Sequence, residues 1–143
     1  MDFAPNYKLK RPGNSGSSLE GQTSMLVGEL MNAATSFHKL HLKVTGLGSF
    51  ASHKALNELY DALPGHADAL AEGFQGAAEK LLNYEDSAPR ILNSVEEALS
   101  YIREFYQQTT SLQAVMPYSE IVNDLDMIKS TMNSIKYKLL FLK

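Results

Sequence analysis

The sequence predicts an all-α fold, a single four-helix bundle, on three observations. Four segments carry apolar residues at alternating steps of four and three, the spacing of a helix that buries one stripe against its neighbours. No segment alternates with a period of two for long enough to form a sheet. The chain has 143 residues, of which 44% are hydrophobic, so it is long enough to enclose one core.

Each predicted helix is defined by its apolar stripe. The first stripe comprises Leu26, Leu30, Ala33, Phe37, Leu40 and Val44. The second comprises Leu56, Tyr60, Leu63, Ala67, Leu70 and Phe74. The third comprises Val95, Leu99, Ile102 and Tyr106, flanked by Ala98 and Phe105. The fourth and most regular stripe comprises Ile121, Leu125, Ile128, Met132, Ile135, Leu139 and Leu142.

The sequence also predicts where the helices begin and end. The glycine-containing turn at residues 45–49 predicts that helices one and two form an antiparallel hairpin, whereas Ser94 and Glu97 form a capping box at the start of helix three. Pro117 precedes helix four, where a missing donor is tolerated. Roughly a dozen residues around 83–89 separate helices two and three, enough for a long crossover along the bundle. Pro64 and Gly65 lie inside helix two and predict a kink or a split there.

Residues 1–18 form a separate arm preceding the bundle, which we assign to residues 19–143. The arm is rich in proline, glycine, serine and asparagine, and its three basic residues are Lys8, Lys10 and Arg11. A flexible terminus and an arm that docks on a neighbouring molecule are both compatible with this composition. DNA binding through the arm is disfavoured, because three charges make only a small contact with phosphate.

The composition excludes several classes of function. With 13 basic and 16 acidic residues the net charge is −3, which disfavours nucleic-acid binding by the whole surface. The absence of cysteine excludes disulfides, thiolate metal sites and cysteine nucleophiles, so any metal must be held by nitrogen and oxygen. The start of the chain does not resemble a signal peptide and no apolar run could cross a membrane, so we expect a cytoplasmic protein.

One band on the surface of helix two carries residue types that bind metals. His53, Asp68 and Glu72 fall on this band beside the core stripe, and His41 lies near the end of helix one. His53 and Asp68 are fifteen residues apart, or about 22 Å along a helix, so they cannot share an ion within one chain. An antiparallel second copy would bring them together in two equivalent sites across a two-fold axis. The alternative is that the histidines are ordinary helix-end residues and the acids a solvated pair.

The residues in this region resemble a family signature. His41, Gly46, Phe50 and His53, followed by Asp68 and Glu72 four residues apart, look like the motif of Dps-like mini-ferritins, over a segment of about 35 residues. Residues 52–61 and 72–76 also resemble a little-characterised set of bacteriophage-encoded relatives. The resemblance implies a ferritin-like bundle, iron as the metal and His41, His53, Asp68 and Glu72 as its ligands.

The resemblance further implies a ferroxidase that assembles through two-fold dimers into a hollow dodecamer. Two positions depart from the family pattern. Asn57 stands where a further carboxylate is usual, and Leu42 replaces the tryptophan that usually follows the first histidine. These departures favour an alternative, a non-catalytic structural protein, associated with a virion if the chain is phage-encoded, that retains the bundle. Its location would then be the host cytoplasm or the virion.

Overall fold

The computed structural model describes residues 18–143, and this part of the chain is helical with no strand. Its four helices are α1 (Leu19–His41), α2 (Ser49–Ala78), α3 (Val95–Gln113) and α4 (Ser119–Phe141). The predicted all-α class and four-helix bundle are confirmed. None of the described helices has the length and apolar character needed to span a membrane. The predicted arm, with Lys8, Lys10 and Arg11, lies outside the described residues apart from Ser18.

Serine side chains cap the first and third helices. The Ser18 hydroxyl accepts a hydrogen bond from the Gly21 amide at 3.0 Å. The Ser94 hydroxyl accepts one from the Glu97 amide at 3.1 Å, as the sequence predicts. The Glu97 carboxylate reaches back to the Asn93 amide, one residue earlier than a standard capping box. Such caps satisfy amides that have no partner inside the helix and stabilise each helix by about 1 kcal/mol.

The turn between α1 and α2 depends on two glycines in the left-handed region. Gly46 has φ of 91° and Gly48 has φ of 80°. A residue with a side chain would adopt these backbone angles only at a cost in conformational energy. Gly48 is the N-cap residue of α2, so the chain reverses within seven residues of His41. The two helices therefore form the antiparallel hairpin that the sequence predicts.

The helices form a ring in which α1 packs on α2, α2 on α4, α4 on α3, and α3 on α1. Contacts between α2 and α4 run in opposite chain directions, and they join Gly73 to Ile121, His66 to Thr131, and Glu58 to Lys138. Contacts between α3 and α4 are also antiparallel, and they join Gln113 to Val122 and Tyr106 to Lys136. Consequently α1 and α4 run one way, and α2 and α3 run the other.

The core lies between the four stripes. All of the predicted stripe residues of α1 and α4 are buried except Val44, which is half-buried, and Leu142, which is 43% exposed. In α3 the buried stripe is rotated from the predicted one. Tyr101 and Phe105 lie in the core, whereas Val95 and Tyr106 are only half-buried. The centre of the buried stripe of α3 therefore lies near Ala98 and Phe105, which the sequence analysis placed at its flank.

The connection between α2 and α3, residues 79–94, follows the length of α1. Four hydrogen bonds join it to successive positions along α1 and just beyond the end of that helix. They pair Lys80 with Glu20, Ser87 with Asn32, the Arg90 carbonyl with Ser36, and Asn93 with Lys43. The connection therefore starts near the N-terminal end of α1 and ends near its C-terminal end.

The expectation that Pro64 splits helix two was wrong, because α2 continues through it for 30 residues. Pro64 and Gly65 are both exposed, so the proline ring projects towards solvent. Proline has no amide hydrogen, so position 64 cannot donate the helical hydrogen bond to the Tyr60 carbonyl. Packing of Leu63, Ala67 and Leu70 in the core holds the helix together on both sides of the gap.

Candidate functional site

His41 and His53 meet at the end of the α1–α2 hairpin and are fixed by a reciprocal pair of hydrogen bonds. Nδ1 of His41 lies 2.9 Å from the carbonyl oxygen of His53, and Nδ1 of His53 lies 2.8 Å from the carbonyl oxygen of His41. The two rings stack with their centroids 3.7 Å apart and their planes 17° apart. His41 is buried and His53 is half-buried. The structure thus brings together two of the four predicted ligands.

These hydrogen bonds select the tautomer of each ring when the imidazole is neutral. A carbonyl oxygen can only accept, so each Nδ1 must carry the proton and donate it. In a neutral imidazole Nε2 is then a free acceptor, and neither Nε2 has a hydrogen-bond partner among the described residues. An imidazole oriented by Nδ1–H···O=C is the usual arrangement of a metal-ligating histidine. Each imidazole therefore presents one nitrogen donor, and the two rings lie stacked in nearly parallel planes.

Aromatic rings surround the imidazole pair. The Tyr60 ring lies edge-on to His41 at 5.1 Å and stacks on the exposed His38 at 3.8 Å. On the other side Phe50, which is 74% exposed, lies 6.4 Å from the His53 ring. These contacts limit rotation of the imidazoles, and Phe50 leaves an apolar surface beside them.

Asp68 and Glu72 do not join the histidines within one chain. Both are exposed on α2, one helical turn apart. Because α2 is a single helix, His53 and Asp68 remain about 22 Å apart along its axis. Within one chain, residues 18–143 contain no group of three or more histidine, cysteine or acidic side chains able to share an ion. A site using all four predicted ligands must draw them from two molecules.

Asn57, where the family resemblance places a carboxylate, is engaged by its own helix. Its Nδ2 donates to Oδ2 of Asp61 at 2.7 Å. Asn57 and Asp61 follow His53 at intervals of one helical turn and lie on the same side of α2. The amide thus occupies a carboxylate oxygen instead of supplying one.

Sequence reasoning missed a polar group inside the bundle. The Tyr101 hydroxyl donates to the carboxylate of Glu29 at 3.0 Å, and both side chains are at least 95% buried. Arg90 lies over the Tyr101 ring at 4.1 Å and makes a two-pronged ion pair with Glu104. That ion pair is the main cause of a raised pKa at Arg90. The available clue was Glu29, an acid directly before the stripe residue Leu30.

His66 on α2 is half-buried, and its Nε2 lies 2.9 Å from the Thr131 hydroxyl of α4. Burial lowers its pKa, and the nearby Asp124 opposes this shift only in part. The folded protein therefore takes up this proton at lower pH than the unfolded chain, whose pKa is about 6.5.

We expect the unfolding free energy to fall as pH decreases through about 6.5 and on through the lower folded pKa of His66. Denaturant titrations at a series of pH values would measure this slope in the native protein and in His66→Gln. Groups other than His66 are common to both proteins and cancel in the difference. A pH-independent difference between the two proteins would contradict the assignment.

One family model matches the chain, that of the Family of unknown function (DUF5856), over residues 41–139. This range covers more than half of the sequence, so the chain belongs to that family. The match starts at His41 and contains all four predicted ligands. Comparison with curated proteins gave no match, and comparison with solved structures gave none either.

Proposed function

We propose that this member of DUF5856 is a Dps-like protein that binds Fe(II) and oxidises it at sites formed between two subunits. The observation that carries the proposal is the imidazole pair, whose Nδ1 atoms are both bonded to carbonyl oxygens and whose Nε2 atoms are left as donors. His41 and His53 would come from one subunit, and Asp68 and Glu72 from the other. Imidazole and carboxylate together suit a divalent metal of the iron, manganese or zinc type.

The bundle would be ferritin-like, with a long crossover between helices two and three. Supporting this, residues 79–94 follow α1 along its length, and α2 and α3 run in the same direction. A Glu-x-x-His pair on facing helices, which a ferritin site inside one bundle needs, is absent from the sequence. This favours a site between subunits over a site within the bundle.

In the proposed dimer, α2 of one subunit lies antiparallel to α2 of the other. Placing His53 opposite the Asp68–Glu72 pair puts the two-fold axis near Asp61 and Ala62, and it creates two equivalent sites. Phe50 and Leu42 are 74% and 71% exposed beside the imidazoles, so a neighbour there would bury apolar surface. We also propose that such dimers associate further into a hollow dodecamer.

Iron is the substrate in this reaction. Each Fe(II) loses one electron, and hydrogen peroxide accepts two electrons from two Fe(II) ions, takes up two protons and leaves as two water molecules. Dioxygen is the other oxidant class that would serve. The carbonyl hydrogen bonds fix the tautomer of each imidazole, and the carboxylates of the partner copy would offset the charge that increases on oxidation.

Anaerobic titration of the full-length protein with Fe(II) tests this function. We expect saturable binding, weakened by about 100-fold or more in His53→Ala and in Glu72→Ala, because each removes one of four donor groups. Matched controls are His66→Gln and Glu120→Ala, which change a histidine and an exposed glutamate away from the proposed site. Absence of saturable binding, or equal binding by all four variants, would refute the proposal.

Subunit mixing tests the shared site directly. When His53→Ala and Glu72→Ala chains are unfolded and refolded together, each mixed dimer regains one intact site and loses the other. Random pairing makes half of the dimers mixed, so roughly a quarter of the native sites should return. If each variant binds normally alone, or if mixing restores nothing, the four residues do not form one site across the interface.

A second candidate is a structural protein that keeps the bundle without the chemistry. The observation that favours it is at Asn57. The Dps-like family has a carboxylate ligand at this position, whereas here a neutral amide donates a hydrogen bond to Asp61. Native mass spectrometry separates the two candidates. A closed shell that carries metal supports the iron protein, whereas an assembly that stays metal-free after exposure to Fe(II) supports the structural one.

A further inference from the structure

We propose that the outward face of α2 docks on the same face of a second copy through ion pairs between Lys54 of one chain and Asp68 and Glu72 of the other. These pairs hold the two copies together without metal. The inference rests on the two-fold dimer of the proposed function but not on its iron chemistry. It goes further by placing Lys54 in the interface as the cation that the two acids face.

The outward face of α2 carries charges of opposite sign at its two ends. The exposed residues along it include Phe50, Lys54, Asp61, Asp68 and Glu72. Lys54 and Glu72 are eighteen residues apart, which is five helical turns, so they project on the same side of α2. Asp68 precedes Glu72 by about one turn. The face therefore has a cation near its start and two acids near its end.

The described part of the chain does not neutralise these three charges. Lys54, Asp68 and Glu72 make no hydrogen bond or ion pair to any residue in the range 18–143. Glu58, by contrast, is ion-paired with Lys138 of α4. Two carboxylates one helical turn apart repel each other, so the acidic pair is stabilised by a cation that comes from outside these residues.

An antiparallel second copy supplies that cation. The proposed dimer sets two α2 helices side by side in opposite directions, with the two-fold axis near Asp61 and Ala62. In this register Lys54 of one copy is level with the gap between Asp68 and Glu72 of the other. Each dimer therefore contains two equivalent groups of one ammonium and two carboxylates.

Phe50 and Gly76 fit the same arrangement. Phe50 is 74% exposed one turn before Lys54, and in the dimer it approaches the stretch of the second α2 that holds Gly76. A Cβ added at Gly76 would meet nothing within 4 Å, so there is room for the ring. An apolar contact beside the ion pairs excludes water from them and strengthens their attraction relative to bulk solvent.

Sedimentation equilibrium of the full-length protein in EDTA tests the inference. We expect the native protein to have a mass of at least two chains of 15.8 kDa. Lys54→Glu, which groups three negative charges, should raise the dissociation constant by about 100-fold, and Glu72→Lys should also raise it. The charge swap that combines both substitutions in one chain should restore most of the association. Glu120→Lys, at an exposed position of α4, repeats the charge change of Glu72→Lys elsewhere and should associate as the native protein does.

The outcomes separate the inference from the function on whose dimer it rests. A native protein that is monomeric in EDTA would assign the acids to metal or to another cationic partner and would overturn the inference. Equal association of the native and Lys54→Glu proteins, or a charge swap that restores nothing, would overturn it as well. A charge-dependent dimer that binds no Fe(II) would keep the inference and refute the proposed function. Far-ultraviolet circular dichroism of each variant, expected to match the native protein, shows whether it is folded.

Discussion

Replacing Phe37 with alanine is expected to lower the free energy of unfolding by about 3–5 kcal/mol. Phe37 is fully buried on α1, and its ring lies 5.4 Å from that of Tyr101, so truncation removes apolar contacts and leaves a cavity between α1 and α3. Denaturant unfolding followed by circular dichroism, at one fixed protein concentration, measures the change.

The matched control is Phe141→Ala, which removes the same ring from a position that is 70% exposed. That change should alter stability by no more than about 0.5 kcal/mol. Similar losses in the two variants would mean that the face between α1 and α3 is not the packed core described above.

Replacing Tyr101 with phenylalanine is expected to cost about 1–3 kcal/mol. The hydroxyl is the donor to the Glu29 carboxylate, which is only 4% exposed, so its loss deprives a buried acceptor of a partner while the ring packing is kept. Thermal and denaturant unfolding of Tyr101→Phe would measure the loss.

Tyr137→Phe provides the comparison, because Tyr137 is 53% exposed and its hydroxyl makes no hydrogen bond to any described residue. A double-mutant cycle with Glu29→Ala, which removes the acceptor, isolates the coupling between Tyr101 and Glu29. A coupling energy near zero would show that the two side chains contribute independently.

The sequence was sufficient for the features that depend on local rules. The stripe of α4, the glycines at 46 and 48, and the serine cap at 94 each follow from spacing or backbone geometry, and each is present in the structure. The rotation of α3 was missed because Tyr101 is amphipathic. Its burial depends on Glu29, which is 72 residues away in the sequence.

The position of His41 and His53 at one end of the hairpin was predictable, but the geometry between them was not. Spacing placed His41 and His53 at one end of the hairpin, and the structure shows them stacked there. The reciprocal carbonyl bonds depend on side-chain rotamers and on the exact turn, which no periodicity encodes. Asp68 and Glu72 remain exposed, and what lies opposite them is decided by association, a property that one chain's pattern does not contain.

Pro64 weakens the hydrogen bonding of α2 at one position in its middle. The missing amide leaves the Tyr60 carbonyl without its helical donor between the half of α2 that carries His53 and the half that carries Asp68 and Glu72. A slight flexing there would change the spacing of the two halves with little disturbance to the buried stripe.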